Sequence, residues 1–441
     1  MIMTRNRLLL TVFLGLAITI KVRAQNPVTD WNNIAITAAL AANQTTSPGS
    51  SSQVGSFVYL AYVHLAIYDA VAAIDHRFRP YGPELSAPPD ASKEAATIAA
   101  AYYTLNHYLP DQAATLLVQY NAALSAIPDG SAKTEGLSAG QSAANSIIAL
   151  RAGDGRGATF AYTWPGVPTA GVWIPTPPAF AAPSMPWLAA MTPFTMRSAS
   201  EFRPEPPSAL TSSEWTHDYN LTKILGAVNS TVRTPEQTEI GLFWTDHAGS
   251  QYGRAFRALA IAQGMDVSET ARLFATLYVS AADAGIGCWD GKYYYSFWRP
   301  VTAIRNGDID GNPDTVPDAG WTPLGVTPNH PEYPAAHGCV TGSIATALKN
   351  FFGTPKVTLI VTSTVTNTTH TFTNTRDLET EVEHARIYAG FHYHHSVVQG
   401  ALLGRKVSDE VTKNFFEQIN GHHHEGRDED RDQDHDDKRS E

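Results

Sequence analysis

Cysteine is nearly absent. Cys288 and Cys339 are the only two in 441 residues, which excludes a disulfide-stapled scaffold and a thiolate cage for zinc. One bridge between them stays open as a pairing, against the plainer reading of two buried small side chains. Charge is also sparse, at 17% against 43% hydrophobic residues, the balance of a globular chain that can bury a large core. Positive charge is in deficit: the formal net charge is -11, and nine acidic against four basic residues between Glu425 and Glu441 supply -5 of it. This argues against nucleic acid and anionic membrane surfaces as partners, and makes any cationic pocket a local site. Beyond the N-terminus, no stretch reads as long and apolar enough to cross a bilayer.

What is present begins with a basic start, an apolar run from Leu8 to Ile20 and small residues Val22 and Ala24 before Gln25. The pattern predicts a leader, residues 1–24, cut near Ala24 and a secreted or periplasmic mature protein. Helical periodicity is expected at Ser56 to Ile74, Ala95 to Leu109, Gln112 to Ile127 and Leu137 to Arg151. Prolines then crowd the chain up to Pro207, and this stretch is expected to wrap the surface, anchored by Trp164, Trp173, Phe180, Trp187 and Phe194. Helical pattern returns at Ser213 to Leu225, Pro235 to Trp244, Gln251 to Gly264 and Ser268 to Asp290, the last with its cap at Ser268. Only Val357 to Thr373 is suited to a short hairpin. The expected organisation is all-α: an N-terminal bundle over 25–210 that includes the proline-rich wrap, a second bundle over 211–418 that binds an oxyanion, and an acidic, His/Asp-rich tail over 419–441.

Three segments carry chemistry. In Lys292-Tyr-Tyr-Tyr-Ser-Phe-Trp-Arg299-Pro300 the cations are seven apart, so a continuous helix would present both on one face, where an anion between them relieves their repulsion. In His330-Pro-Glu-Tyr-Pro-Ala-Ala-His337 the last histidine falls in the first turn of a following helix. Free N–H groups there favour an anion, and an imidazole can pass it a proton; a capping histidine without chemistry is the alternative. In Ala385-Arg386 through Gly390-Phe391-His392 the break at Gly390 lets a guanidinium and an imidazole converge. A zinc site from His392, His394 and His395 is a further reading, but no other motif completes it.

These three segments, in this order and spacing, resemble the signature of the vanadium haloperoxidases and type 2 phosphatidic acid phosphatases. Ala281-Ala-Asp283, Cys288-Trp-Asp290, Phe297 to Arg305, His330 to Pro334, Tyr68-Asp-Ala70 and Phe202-Arg-Pro204 extend the likeness toward the secreted bacterial haloperoxidase-like branch. The resemblance implies a helical fold of two bundles and vanadate as cofactor. Lys292, Arg299 and Arg386 would hold the equatorial oxygens, with the backbone N–H of Ala336. His337 would be the acid-base residue beside the apical oxygen. His392 would ligate vanadium or, in a phosphatase, attack phosphorus to give a phosphohistidine. Trp289 and His330 would line the halide side, the histidine favouring bromide over chloride.

Two departures bear on turnover. The family's Pro-Ser-Gly-His is here Pro334-Ala335-Ala336-His337, which removes a hydroxyl donor typically worth about 1–3 kcal/mol. The family's Asp four residues after the last histidine is here Ser396, which predicts weakened support for His392. The leading expectation is a vanadate-dependent haloperoxidase acting on peroxide, halide and an organic acceptor. The alternatives are an acid phosphatase in the same pocket and a weakened oxyanion-binding protein.

Overall fold

The computed structural model describes residues 26–419. Residues 1–25, with the expected leader, and residues 420–441 of the expected tail lie outside them. Among the described residues the chain is helical, with a single two-stranded sheet.

The first helix, α1 (Pro27–Ala41), was not expected; Asn26 caps it, accepting from the Val28 N–H, with proline at the first helical position. Next come α2 (Gly55–Asp75), α3 (Lys93–Tyr108), α4 (Ala113–Ser125) and α5 (Ser131–Leu150). By length and composition α2 could cross a membrane, contrary to the sequence expectation, yet it is a core helix: every residue from Gly55 to Ile74 is buried. It packs on α3 and α5 on one side and on the long helix α9 (Val267–Tyr295) on the other. One hydrophobic core therefore runs from Val28 in α1 to Val411 near the C-terminus, through both halves of the chain.

The proline-rich stretch wraps as expected, but only three of its five aromatics anchor it. Trp173, Trp187 and Phe194 are buried, whereas Trp164 and Phe180 are 38% and 64% exposed. The tie is polar: the buried carboxylate of Asp283 in α9 accepts from the backbone N–H groups of Phe194 (2.6 Å), Thr195 (2.7 Å) and Met196 (3.3 Å). Arg203 adds a two-pronged bond to Asp290, at 2.7 and 2.9 Å. Asp69 likewise fixes the turn after α2 by accepting from Tyr81 and Gly82.

The second half holds α6 (Ser213–Gly226), α7 (Pro235–Phe243), α8 (Ala248–Gln263), α9, the short α10 (Pro300–Arg305), α11 (Ala336–Phe352), α12 (Thr375–Tyr388) and α13 (His394–Asn414). The cap of α9 is Asp266, in a reciprocal capping box with Glu269, and not the expected Ser268. The hairpin pairs β1 (Leu359–Ser363) antiparallel with β2 (Thr368–Phe372), inside the expected segment. α11 lies along α13 through glycines: a methyl group on Gly342 would come within 2.6 Å of the Ala401 carbonyl, and one on Gly404 within 2.1 Å of the Cys339 carbonyl.

Candidate active site

The three segments converge, but by a different route from the one the spacing suggests. α9 does not continue to Arg299: it stops at Tyr295, and Ser296 turns the chain in the left-handed region (φ 49). Arg299 is the extended residue before α10, whose first position is Pro300. The shared-helix-face expectation for Lys292 and Arg299 is thus corrected. They meet because both reach the 330–334 loop. Lys292 Nζ donates to the carbonyls of Pro331 (2.9 Å), Glu332 (2.9 Å) and Pro334 (2.6 Å), while Arg299 Nε donates to that of His330 (2.8 Å).

His337 is the second residue of α11, as expected. Arg386 lies in the last turn of α12, and the chain breaks at Gly390 (φ 75) before α13. There the backbone passes against the end of α6 so closely that a methyl group on Gly390 would sit 2.6 Å from the Gly226 carbonyl. This break carries His392 back beside Arg299, whose Nη1 lies 3.1 Å from His392 Nε2.

Hydrogen bonding fixes the tautomer of His392. Arginine can only donate, so His392 Nε2 is an acceptor, and its proton is on Nδ1. That Nδ1 donates to Glu332 Oε1 at 2.8 Å, and the same oxygen accepts from the Tyr393 N–H at 3.1 Å. His330 Nδ1 lies 2.9 Å from the Arg299 Nη2 donor and 3.1 Å from the Pro331 carbonyl acceptor. The weakened support for His392 expected from Ser396 is offset. Glu332, fully buried, supplies from another loop what position 396 does not. Its signal in the sequence was a glutamate set between prolines, Pro331-Glu332-Tyr333-Pro334. Ser396 lies against this carboxylate, yet neither its hydroxyl nor Glu332 Oε2 has a formed hydrogen bond.

A cavity of about 390 Å³ opens onto the cluster. His330, Ala336, His337, Arg386 and His392 line it, together with Trp289. The ring of Trp289 is 4.9 Å from that of His330, and its indole N–H is held by the Ser184 carbonyl at 3.2 Å. Lys292 and Arg299 stand one layer behind this wall. All three protons of Lys292 are engaged by carbonyls, so it acts on the cavity through its charge and by shaping the loop. Arg386 is the reverse case: Nη1 donates to the Trp244 carbonyl at 2.9 Å, and its buried Nε has no partner. Ala336 brings its backbone N–H to the wall at the start of α11, where helical geometry supplies no acceptor.

The electrostatics call for an anion. Three buried cations, Lys292, Arg299 and Arg386, face one buried carboxylate, Glu332. Burial pulls Lys292 down to about 8 and lowers both guanidinium groups, which stay cationic at neutral pH. Burial and the adjacent cations hold His330, His337 and His392 well below the usual histidine range, so all three are neutral. Burial raises Glu332 to about 7 against the pull of Lys292 and Arg299. Excess positive charge, an orphaned guanidinium N–H and a neutral imidazole whose Nε2 lone pair points into the cluster fit a tetrahedral dianion such as vanadate or phosphate. Among the described residues, no three His, Cys, Asp or Glu side chains gather as a cage for a metal cation, and the zinc reading falls. Cys288 and Cys339 are buried free thiols beside the cluster, without a bridge.

Comparison with known proteins bears on the fold. Residues 272–421 match the model of the VCPO second helical-bundle domain. The vanadium chloroperoxidase of Curvularia inaequalis is 29% identical over 211 residues, 38% of this chain and 34% of the relative, so the chain spans about a third of that protein's length. Among solved structures, a bacterial vanadium-dependent iodoperoxidase described as the first of its kind superposes with a TM-score of 0.72 at 22% identity, covering 87% of this chain and 96% of that one. A holo-type bacterial vanadium-dependent chloroperoxidase follows with a TM-score of 0.69 at 15% identity, covering 88% and 97%. These structural likenesses establish the helical fold.

Proposed function

Since the chain belongs to the vanadium haloperoxidase superfamily, we propose that it is a vanadate-dependent haloperoxidase that oxidises halide, bromide in preference to chloride, with hydrogen peroxide. The observation that carries this reading is the convergence of Lys292, Arg299, Arg386, His337 and His392 on one buried site with a surplus of positive charge. Bound vanadate would supply the electrophilic centre that activates peroxide toward two-electron oxidation of a halide.

The chain's own groups divide the remaining work. Arg386, with its unpartnered Nε, and the Ala336 N–H bind the oxyanion directly, while Lys292 and Arg299 balance its charge from behind. His392 Nε2, kept unprotonated by the Nδ1–H bond to Glu332, is the ligating atom once it gives up its bond from Arg299 Nη1. His337 lines the cavity with a neutral imidazole and is the base that accepts a proton from incoming peroxide. His330 lines the cavity beside Trp289, and this pair supports bromide. The mature protein is proposed to act outside the cytoplasm.

The test is reconstitution with orthovanadate, elemental analysis for vanadium, and bromide- and peroxide-dependent halogenation of a diketone indicator. Stoichiometric vanadium with turnover that His337→Ala abolishes is the expected result. Metal-free hydrolysis of a phosphomonoester, inhibited by vanadate, would instead identify a phosphatase. Anion binding with neither activity would leave an oxyanion-binding protein.

A further inference from the structure

The hairpin is the one sheet among the described residues, and the oxyanion site as built from its motifs gives it no role. On β2, Thr369 and Thr371 are exposed, while Thr368, His370 and Phe372 turn inward on the other face. The His370 ring lies flat on Phe243, the last residue of α7, with ring centroids 3.8 Å apart and planes inclined by 7°. Its Nε2 is 3.1 Å from Glu239 Oε2, one turn earlier on α7, and its Nδ1 is 2.7 Å from Glu381 Oε1 on α12. Both carboxylates are acceptors here. Glu381 Oε1 also takes the Trp244 indole N–H at 2.8 Å, and Glu239 Oε1 takes the Thr368 hydroxyl. Both ring nitrogens therefore donate, and the bridge stands with a cationic ring, which suits its place over the Phe243 face.

This bridge braces the two elements that hold Arg386. Trp244, directly after α7, meets α12 twice: its indole reaches Glu381, and its carbonyl accepts from Arg386 Nη1 at 2.9 Å. The Trp244 N–H returns to the Ile240 carbonyl, so the position of its own carbonyl follows the end of α7. Any slide of α7 against α12 would draw that carbonyl away from a guanidinium whose Nε is already without a partner. Binding groups work only where their supports fix them to within about 0.5 Å, and His370 is the side chain that bonds to both helices at once. Leu242 and Thr245, on either side of Phe243 and Trp244, line the cavity, so the brace bears on its wall as well.

We propose that His370 is a positioning residue for oxyanion binding: from the hairpin, it ties α7 to α12 and so sets where Arg386 meets the anion. His370 itself is not among the residues that line the cavity. The inference rests on the oxyanion-binding reading of the site and is independent of the halide chemistry.

Calorimetric titration of the vanadate-free full chain with inorganic phosphate tests it. His370→Phe keeps a ring over Phe243 and removes both bridges; it is expected to weaken phosphate binding at least about tenfold, the scale seen when a residue supporting a ligand group is lost. His370→Gln, which keeps one donor, is expected to lose less, and it decides the matter if the phenylalanine variant does not fold. The readout specific to positioning is the coupling with Arg386. In an Arg386→Lys background, where no Nη1 is left for the Trp244 carbonyl to place, the same His370 substitutions are expected to change affinity by less than about twofold. Unchanged affinity in the single variants overturns the inference, and so does an equal loss in both backgrounds, which marks general damage to the fold. A wild-type chain that binds neither phosphate nor vanadate overturns the oxyanion reading, and this inference with it. Phosphate binding without bromide oxidation after vanadate loading overturns the haloperoxidase reading alone, and the coupling then still decides the role of His370.

Discussion

Arg386 Nη1 donates to the main-chain carbonyl of Trp244 at 2.9 Å, and among the described residues this is the one hydrogen bond that holds the buried guanidinium. The Trp244 indole N–H in turn donates to Glu381, which contacts His370 of the hairpin at 2.7 Å. The cation that faces the cavity is therefore stationed by the hairpin side of the fold and left short of partners.

A buried charge with so few partners costs stability that an anion restores. Arg386→Met is expected to leave the melting temperature of the ligand-free protein unchanged or a few degrees higher, and to abolish the rise that phosphate or vanadate produces. Thermal scans with and without 10 mM phosphate decide it, a titre far above about micromolar affinity. A large phosphate-induced rise surviving in the variant would refute the assignment.

Glu332→Gln keeps an acceptor for the His392 N–H and removes only the charge. Vanadate affinity is expected to fall about 10–100-fold, as when a ligand histidine loses its carboxylate partner. Because Ser396 lies against Glu332, Ser396→Asp in the Glu332→Gln background should recover most of the loss. In the wild-type background the same Ser396→Asp should weaken folding by placing two carboxylates together. Calorimetric titration of the four proteins separates these outcomes, and absence of any rescue would reduce Glu332 to a packing role.

Lys292 gives the site a pH dependence whose sign follows from its burial. Its folded pKa is lowered to about 8, against about 10.4 in an unfolded chain. Between these values the unfolded chain holds the extra proton, so the ligand-free fold gains stability as pH rises. Oxyanion binding needs the ammonium and weakens over the same range. The phosphate-induced rise in melting temperature should therefore be larger at pH 7 than at pH 9, and Lys292→Met should be smaller at pH 7 and nearly flat.

Cys288 and Cys339 are free and buried. Ellman's reagent should find no reactive thiol in the native protein and two after denaturation without reductant. Finding none after denaturation would mean a bridge had formed.

Much of this site was legible because its chemistry is written in side-chain types at fixed spacing: His337, Arg386 and His392 line the cavity, and Lys292 and Arg299 stand behind its wall. The route was harder to read. Nothing in Tyr293-Tyr-Tyr-Ser-Phe297 marks the end of a helix by composition, since Ser296 enters the left-handed region without glycine's help. The available clue was Pro300, which disfavours helical geometry at Arg299. Glu332 was visible as a residue and unreadable as a partner, because its contact with His392 joins positions sixty apart. Helix α1 was overlooked beside the expected leader. Trp164 and Phe180 show that an aromatic in a proline-rich wrap is not by itself an anchor.

The bare glycine faces where α11 meets α13 have a consequence for how this protein can change. Main chain rests closely on main chain there, which holds His337 at the start of α11 near His392 just before α13. Cavity walls can be remodelled for a new acceptor while the reacting groups keep their separation. Any substitution that adds a carbon at Gly342 or Gly404 would push those groups apart at once.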